Sequence, residues 1–164
     1  MPSHGFPAVI DKDSKLLILG SFPSVKSRKD TFYYMHPQNR FWDVLRILYE
    51  DQNFLSPEIH VKKQTLKTHH IALYDVIESC DIIGSKDNSI TNVRPADISS
   101  LIEGTNINKI LLNGTKAETL FKQYNPELVP IAIGVPSTSP ANAQYSLTRL
   151  VQAWKHALNL KPSL

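Results

Sequence analysis

The segment YYMHPQNRFWDVL, residues 33–45, holds side chains that suit recognition of a nucleobase. Two adjacent tyrosines supply flat rings, Asn39 supplies an amide and Arg40 supplies a cation. Aromatic faces stack on bases, and an amide presents a donor and an acceptor together, as the edge of a base does. The segment therefore predicts a surface that grips one base of a nucleic acid.

Small polar residues recur where strands are predicted to end: GSFPS (20–24), NG (113–114) and PSTSPANA (136–143). Serine hydroxyls and backbone amides in such turns can hold phosphates without a fixed charge. A pocket for a base taken out of a duplex needs rings, amides and phosphate contacts together. Ligands of parallel α/β sheets bind at the carboxyl ends of the strands, so we expect these segments to meet there.

The rest of the chain alternates predicted strands with predicted helices. Four short buried strands are predicted at 15–23, 71–77, 107–114 and 129–136. Helices are predicted at 40–49, 56–70, 95–104, 115–124 and 141–160, with a loop at 84–92. This alternation favours an α/β fold, a parallel sheet covered on both faces, and a single domain over residues 1–164.

The composition excludes several classes of protein. The single cysteine, Cys80, excludes a disulfide framework and a cluster held by several cysteines of one chain. His69 and His70 are adjacent, and no HxxxH or CxxC pair is present, so neither a metal nor another cofactor is expected. GSFPS lacks the glycine spacing and lysine of a phosphate loop, and no GxSxG elbow is present.

Charge and hydropathy suit a cytoplasmic protein that meets a polyanion. No apolar run approaches the ~20 residues that span a bilayer, and the N-terminus lacks the layout of a signal peptide. Residues 15–70 carry nine Lys or Arg against five Asp or Glu, whereas residues 71–164 carry eight of each. A basic face suits nucleic acid, although solvated lysines remain the alternative.

The segments ILGSFPS, YYMHPQNRFWDVL and PSTSPANA together resemble the uracil-DNA glycosylase superfamily, and more closely its hypoxanthine (deoxyinosine) branch. The resemblance runs from residues 5–7 through the last helix. HPQNRFW is also similar to the mismatch-specific uracil glycosylases. The resemblance implies a three-layer α/β/α sandwich around a four-stranded parallel sheet. It also implies a base flipped out of DNA and cleavage of its N-glycosidic bond by water, without a metal.

The resemblance assigns roles to individual residues. GSFPS matches the first motif, in which other branches hold a water-activating Asp or Asn; here Phe22 stands at that place and cannot activate water. The hypoxanthine branch gives a catalytic role to Asn39, which we expect to position the water. Tyr34 matches a ring that stacks on the flipped base, and Asn113 matches an asparagine that reads it.

VPSTSPAN (135–142) replaces the second motif, with Val135 at the place of a histidine. Ser137 matches a phosphate contact and residues 138–142 the wedge that enters the duplex. The predicted base-binding residues are Gly20, Ser21, Phe22, Tyr34 and Asn113, and the predicted DNA-binding residues are Ser24, Ser85, Ser137, Thr138, Ser139 and Asn142. The expected partner is DNA that contains a deaminated base, bound by a monomer that joins the nucleoid when it acts.

Most of these residues have a plainer role that stays open. Asn39 could cap its helix, Asn113 could turn the chain out of a strand, and Ser137, Thr138 and Ser139 could cap the last helix. Arg40 could form a surface salt bridge. Phe41 and Trp42 follow the helical period, which favours the core.

The sequence also leaves open two candidate catalytic bases and two alternative functions. Asp75 and Asp87 are weak candidates for a catalytic base, because the sequence gives them no known neighbour. A uracil or mismatch glycosylase remains an alternative function, favoured by HPQNRFW and opposed by Phe22. A catalytically silent DNA-lesion binder is the second, since both strong catalytic groups of the superfamily are missing.

Overall fold

The computed structural model describes residues 2–160; residues 1 and 161–164 of the predicted domain lie outside them. The strands are β1 (Leu16–Gly20), β2 (Ile71–Asp75), β3 (Ile77–Asp81), β4 (Thr91–Pro95), β5 (Lys109–Asn113) and β6 (Ala132–Val135). The helices are α1 (Val25–Asp30), α2 (Phe41–Tyr49), α3 (Ile59–Thr68), α4 (Ile98–Ile102), α5 (Thr115–Tyr124) and α6 (Leu147–Asn159). Short 3-10 helices occupy Gln52–Leu55, Asp87–Ser89 and Pro126–Ile131.

The central sheet has four parallel strands in the order β2-β1-β5-β6. Successive side chains of a strand point to opposite faces, and both faces are buried here. Ile18, Leu73 and Leu111 pack under α2, α3 and α6 on one face, and Leu17, Leu19 and Leu112 pack under α4 and α5 on the other. The predicted three-layer sandwich with a four-stranded parallel sheet is confirmed.

β3 and β4 form a small antiparallel sheet that is separate from the central sheet. The sequence predicted a loop for residues 84–92, which is wrong at its end because β4 begins at Thr91. Four of the five β4 residues are exposed, so this strand lacks the apolar alternation that reveals a buried one. β3 was also absent from the prediction.

The N-terminal segment, residues 2–9, runs along the outer side of β2 and β3. Val9 and Leu73 exchange two backbone hydrogen bonds of 3.0 and 2.9 Å, and Ser3 forms an isolated bridge with Ser79. The His4 N–H donates to the carbonyl of Glu78 at 2.7 Å. This pairing brings His4 to the core beside the central sheet, where it is 1% exposed.

Several element boundaries differ from the prediction. The last helix begins at Leu147 and not at 141, because Ser146 is the residue that caps it by accepting the Arg149 N–H at 3.2 Å. The fourth strand begins at Ala132, after a 3-10 helix that contains two prolines. The short α1 was not predicted; Ser24 caps it by accepting the Ser27 N–H. None of the described helices is both long and apolar enough to cross a bilayer.

Candidate active site

A cavity of about 670 Å³ opens at the carboxyl edge of the central sheet. The last residues of β1, β2 and β5, namely Gly20, Asp75 and Asn113, line it together with the loops that follow β1 and β6. Of the predicted site residues, those that line this cavity are Gly20, Ser21, Phe22, Ser24, Tyr34, Asn39, Ser85, Asn113, Ser137, Thr138 and Ser139. The structure therefore gathers residues that are up to 119 positions apart in the chain.

The Tyr34 ring lines the cavity and is fixed by stacking on Phe41. Its backbone lies in the left-handed region (φ 53°), and its ring stacks on Phe41 with centroids 3.8 Å apart and planes 16° from parallel. Trp42 Nε1 donates to the Tyr34 carbonyl at 3.1 Å. Phe41 and Trp42 are buried, as predicted for the core. This packing holds the Tyr34 ring in one orientation at the cavity.

The Tyr34 hydroxyl is buried and has no hydrogen-bond partner among the described residues. Burial raises the pKa of Tyr34, and the nearby Asp75 carboxylate raises it further. The Asn113 amide lowers this pKa in part, although it does not form a hydrogen bond with the hydroxyl. The phenol thus stays protonated in the physiological range. The neighbouring Tyr33 is only 2% exposed and donates its hydroxyl to the Pro7 carbonyl at 2.8 Å, as a core residue would.

Asn39 supports the first turn of α2 with its amide oxygen and keeps its amide NH₂ group unpaired within residues 2–160. Its Oδ1 accepts the backbone N–H of Phe41 at 2.9 Å, which supports the first turn of α2. A backbone N–H requires an oxygen as its partner, so this bond also fixes which end of the amide is which. The Nδ2 group has no partner among the described residues and belongs to the cavity lining. Asn39 is not the N-cap residue, a position that Arg40 occupies, but it supports the first turn from one residue earlier, and this support is compatible with a site role.

Asn113 anchors the loop that follows β6. Its Nδ2 donates to Thr138 Oγ1 at 3.1 Å, and its Oδ1 accepts the Thr138 N–H at 3.1 Å. Thr138 is fully buried and Asn113 is 9% exposed. An amide has a second hydrogen and a second lone pair, so Asn113 keeps one donor and one acceptor beyond these two bonds.

Arg40 holds the same loop and does not form the salt bridge considered for it. Its guanidinium donates to the carbonyls of Ser139 at 3.2 Å, Asn142 at 3.0 Å and Tyr145. Its backbone N–H donates to the Thr138 carbonyl at 3.1 Å. The planar five-donor fork suits several carbonyl oxygens at once. Arg40 is thus committed to the loop between β6 and α6.

The serines at the mouth keep their hydroxyl protons available. Ser85 Oγ accepts the Val25 N–H at 3.0 Å, Ser137 Oγ accepts the Ser139 N–H at 3.1 Å, and Ser139 Oγ accepts the Ala141 N–H at 3.1 Å. Each oxygen is used as an acceptor, and each O–H can still donate. The alternative in which Ser137–Ser139 cap the last helix is wrong, because that helix begins eight residues after Ser139 and is capped by Ser146.

Asn142, predicted to bind DNA, does not line the cavity. Its Nδ2 donates to the Ser137 carbonyl at 3.0 Å, and its own carbonyl accepts from Arg40. A contact of Asn142 with DNA stays a prediction; in the structure its side chain stabilises the loop between β6 and α6 from within. Its position in the PSTSPANA segment could not distinguish this role from a contact with DNA.

Two carboxylates at the cavity have neighbours that the sequence did not reveal. Asp75 Oδ2 lies 2.7 Å from His4 Nε2, and both side chains are buried. Ser21 Oγ donates to Asp87 Oδ1 at 2.7 Å. Desolvation raises the pKa of Asp87, and the Ser21 hydroxyl and the Lys116 cation lower it in part. Asp87 is an exposed residue, so its desolvation is incomplete. Across residues 2–160 no group of three or more His, Cys, Asp or Glu could hold a metal ion.

The sequence and the fold were compared with known proteins. The profile of the Uracil DNA glycosylase superfamily matches residues 7–158. A hypoxanthine DNA glycosylase of Methanosarcina acetivorans is 35% identical over 153 residues, which cover 91% of this chain and 94% of that protein. A hypoxanthine DNA glycosylase of Methanosarcina barkeri is 34% identical over 130 residues, which cover 78% of each chain.

A solved structure agrees with these sequence relatives. The solution NMR structure of a protein of Methanosarcina acetivorans, described as a candidate uracil DNA glycosylase, superposes with a TM-score of 0.76 at 31% identity. The alignment covers 96% of this chain and 99% of that protein. The chain belongs to the uracil DNA glycosylase superfamily. Its relatives within that superfamily confirm the predicted resemblance to the hypoxanthine DNA glycosylase branch.

Proposed function

We propose that this DNA glycosylase releases hypoxanthine from DNA, with uracil and xanthine as secondary substrates, after the deaminated base is flipped into the cavity. The observation that carries the proposal is the meeting of Tyr34, Asn39 and Asn113 around one cavity at the carboxyl edge of the sheet. The two relatives named as hypoxanthine DNA glycosylases support the choice of base. We further expect the protein to act on DNA as a monomer in the cytoplasm.

The proposed chemistry needs no ionised catalytic side chain in the first motif, GSFPS (20–24). Cleavage of an N-glycosidic bond approaches the departure of a base anion from an oxocarbenium ion, and preorganised dipoles lower such a barrier. The Asn39 Nδ2 group donates a hydrogen bond to the attacking water, because the Phe41 N–H holds Oδ1 and leaves Nδ2 without a partner among the described residues. Tyr34 stacks on the extruded base, since Phe41 holds its ring flat at the cavity.

The proposed DNA contact uses hydroxyl groups at the mouth of the cavity. Ser85, Ser137 and Ser139 each keep an O–H that can donate to a phosphate oxygen. Affinity for duplex DNA should also fall as salt concentration rises, because the excess of Lys and Arg over residues 15–70 would neutralise phosphates and release their counterions. Residues 138–142 would enter the duplex from the loop that Arg40 and Asn113 hold in place.

The test uses three duplexes that differ in one base. Each carries a single hypoxanthine, uracil or xanthine and is incubated with the protein, after which alkali cleaves any abasic sites. Strand cleavage with hypoxanthine, faster than with uracil or xanthine, is the expected result. Cleavage of the uracil strand alone would favour a uracil or mismatch glycosylase, and tight binding without cleavage would favour a silent lesion binder.

A further inference from the structure

Both ring nitrogens of His4 face hydrogen-bond acceptors. Nδ1 lies 3.0 Å from the carbonyl oxygen of Phe6, and Nε2 lies 2.7 Å from Asp75 Oδ2. A carbonyl oxygen can only accept, so Nδ1 must carry a hydrogen. The 2.7 Å contact then needs one more hydrogen, on His4 Nε2 or on the Asp75 carboxyl. The pair therefore holds one shared proton in addition to the one on Nδ1, and it carries no net charge.

His4 is the group that compensates the Asp75 carboxylate. The side chains of His4 and Asp75 are 1% and 5% exposed, and no other cation forms an ion pair with Asp75 among the described residues. The other titratable groups that act on or adjoin this pair are acids or phenols: Tyr33, Tyr34, Tyr74, Glu78 and Asp87. A buried carboxylate without a partner is strongly disfavoured. His4 is thus the side chain that holds Asp75 in place among the described residues.

The second oxygen of Asp75 is free and lies across the end of β1. Oδ1 has no hydrogen-bond donor among the described residues, although Asp75 lines the cavity. A Cβ on Gly20 would lie 2.5 Å from this oxygen and 3.1 Å from the Tyr34 hydroxyl. Glycine at position 20 therefore leaves the space that Oδ1 occupies. An acceptor held from one side and open on the other is suited to a ligand N–H.

We propose that His4 is a positioning residue of the glycosylase: its contact with Oδ2 fixes the orientation of the Asp75 carboxylate so that Oδ1 accepts the ring N–H of a deaminated base. This role rests on the proposed function. Hypoxanthine, xanthine and uracil each carry a ring N–H beside a carbonyl, where adenine and cytosine carry a ring nitrogen with a lone pair. An anionic acceptor attracts the first group and repels the second. A site built on such a bond rejects the analogue that lacks the donor.

The test is a double-mutant cycle on the rate of base release in single turnover. Asp75→Asn removes the charge, and His4→Phe removes both donors while keeping a ring among the neighbouring aromatic side chains. We expect Asp75→Asn to lower the rate by ~10²-fold or more, the order for one oriented catalytic contact, and His4→Phe to lower it by about tenfold or more. Because His4 acts through Asp75, His4→Phe should cost little further in the Asp75→Asn background.

Two additional variants separate positioning from folding. His4→Gln retains a donor toward Asp75 and should recover part of the rate that His4→Phe loses. Phe6→Leu alters the same aromatic cluster without removing a polar side chain, so it should lower the unfolding midpoint while the rate stays within about twofold. If His4→Phe does not fold, His4→Gln takes its place in the cycle, with a smaller loss that must likewise vanish beside Asp75→Asn.

The outcomes distinguish this role from the proposed function. Cleavage by the wild type combined with losses that multiply in the double variant would overturn the positioning role of His4 and leave the proposed function standing. A His4 variant that changes stability but not rate would do the same. A wild-type protein that cleaves none of the duplexes would refute the proposed function and this role together.

Discussion

Asn39 supports a helix with one atom of its side chain and has another that is free for the proposed reaction. Its Oδ1 accepts the Phe41 N–H and its Nδ2 is free at the cavity. The two uses involve different atoms, so substitutions can separate them. Gly20 illustrates the opposite case, a residue whose contribution is the absence of a side chain, because Asp75 Oδ1 and the Tyr34 hydroxyl approach it from the cavity.

Asn39→Ala and Asn39→Ser should differ in stability but agree in activity. Alanine removes the acceptor for the Phe41 N–H and should cost about 1 kcal/mol of unfolding free energy, whereas serine keeps a hydroxyl acceptor at this turn. Both remove the Nδ2 donor and should lower single-turnover release of hypoxanthine by ~10²–10³-fold, with duplex binding retained. Denaturant titration, a binding assay and rapid-quench kinetics measure the three quantities. Wild-type rates in Asn39→Ser would leave Asn39 only its support of the first turn of α2.

Gly20→Ala should abolish base release and destabilise the fold. The added Cβ would lie 2.5 Å from Asp75 Oδ1, a distance that real Cβ atoms do not show, and the buried pair with His4 prevents the carboxylate from simply moving away. Overpacking of this kind costs ~1–3 kcal/mol. Denaturant midpoints and cleavage rates measure both effects. Gly104→Ala is the control for a glycine substitution, since nothing lies within 4 Å of its added Cβ and only its positive φ (78°) is strained.

At the scale of elements, the loop between β6 and α6 is held from two sides. Asn113 at the end of β5 binds Thr138, and Arg40 before α2 binds three carbonyls of the loop. The loop therefore takes its shape from side chains of distant elements and contains no regular structure of its own between β6 and α6. Its serines are oriented toward the cavity mouth by these contacts.

Arg40→Lys should loosen this loop without changing the net charge. A lysine ammonium lacks the planar fork, so some of the three carbonyls lose their donor, and each buried one costs ~1–3 kcal/mol. We expect faster amide exchange over residues 138–146 and at least tenfold slower base release, because small displacements of positioning groups are costly. Arg94→Lys is the matched control, since Arg94 is exposed on β4, away from this loop. Equal effects of the two substitutions would contradict the argument.

At the scale of the whole molecule, two hydrophobic cores sandwich the sheet and leave Cys80 fully buried in one of them. Burial raises the pKa of the Cys80 thiol above its ordinary value of 9.0, with Asp81 and Asp87 adding to the effect and Arg28 opposing it. The thiolate, which is the reactive form, is therefore scarce in the native protein below pH 9. Cys80 is also the single cysteine of the chain.

Cys80 should report the opening of the native fold. In the native protein at pH 8 a thiol reagent should react slowly, at a rate set by opening of the core around β3, whereas one equivalent should react at once in denaturant. The native rate should rise with pH, because the reagent attacks the thiolate that forms once the core has opened. Absorbance of the released reagent group measures both rates. Rapid native reaction at pH 8 would contradict the burial of this core.

The sequence predicted the four strands of the central sheet and missed the two strands of the small sheet. The runs that become β1, β2 and β5 are continuously apolar because helices cover both sides of the sheet. β4 is polar and exposed, so it carries no such signal. The start of α6 was placed six residues early, because serines and a proline at 137–140 resemble a helix start as well as Ser146 does.

The candidate site divides in the same way. Tyr34, Asn39 and Asn113 could be predicted, because each belongs to a short motif at a strand end or a helix start. His4 could not, since 71 residues separate it from Asp75 and no local pattern links them. The loop-binding role of Arg40 was missed for the same reason, because its carbonyl partners begin 99 residues further along the chain.

The position of the N-terminal segment has a practical consequence for work with the protein. Backbone bonds from residues 2–9 to β2 and β3 include Cys80 N–H to the Pro2 carbonyl at 3.1 Å, so the segment is built into the fold from its second residue. A purification tag fused ahead of Pro2 would begin within two residues of His4. The last turn of α6 lies at the opposite edge of the sheet, where Lys109 at the start of β5 donates to the Ala157 and Leu158 carbonyls. The last turn of α6 therefore lies away from the cavity, so a tag at that end of the chain is the better choice.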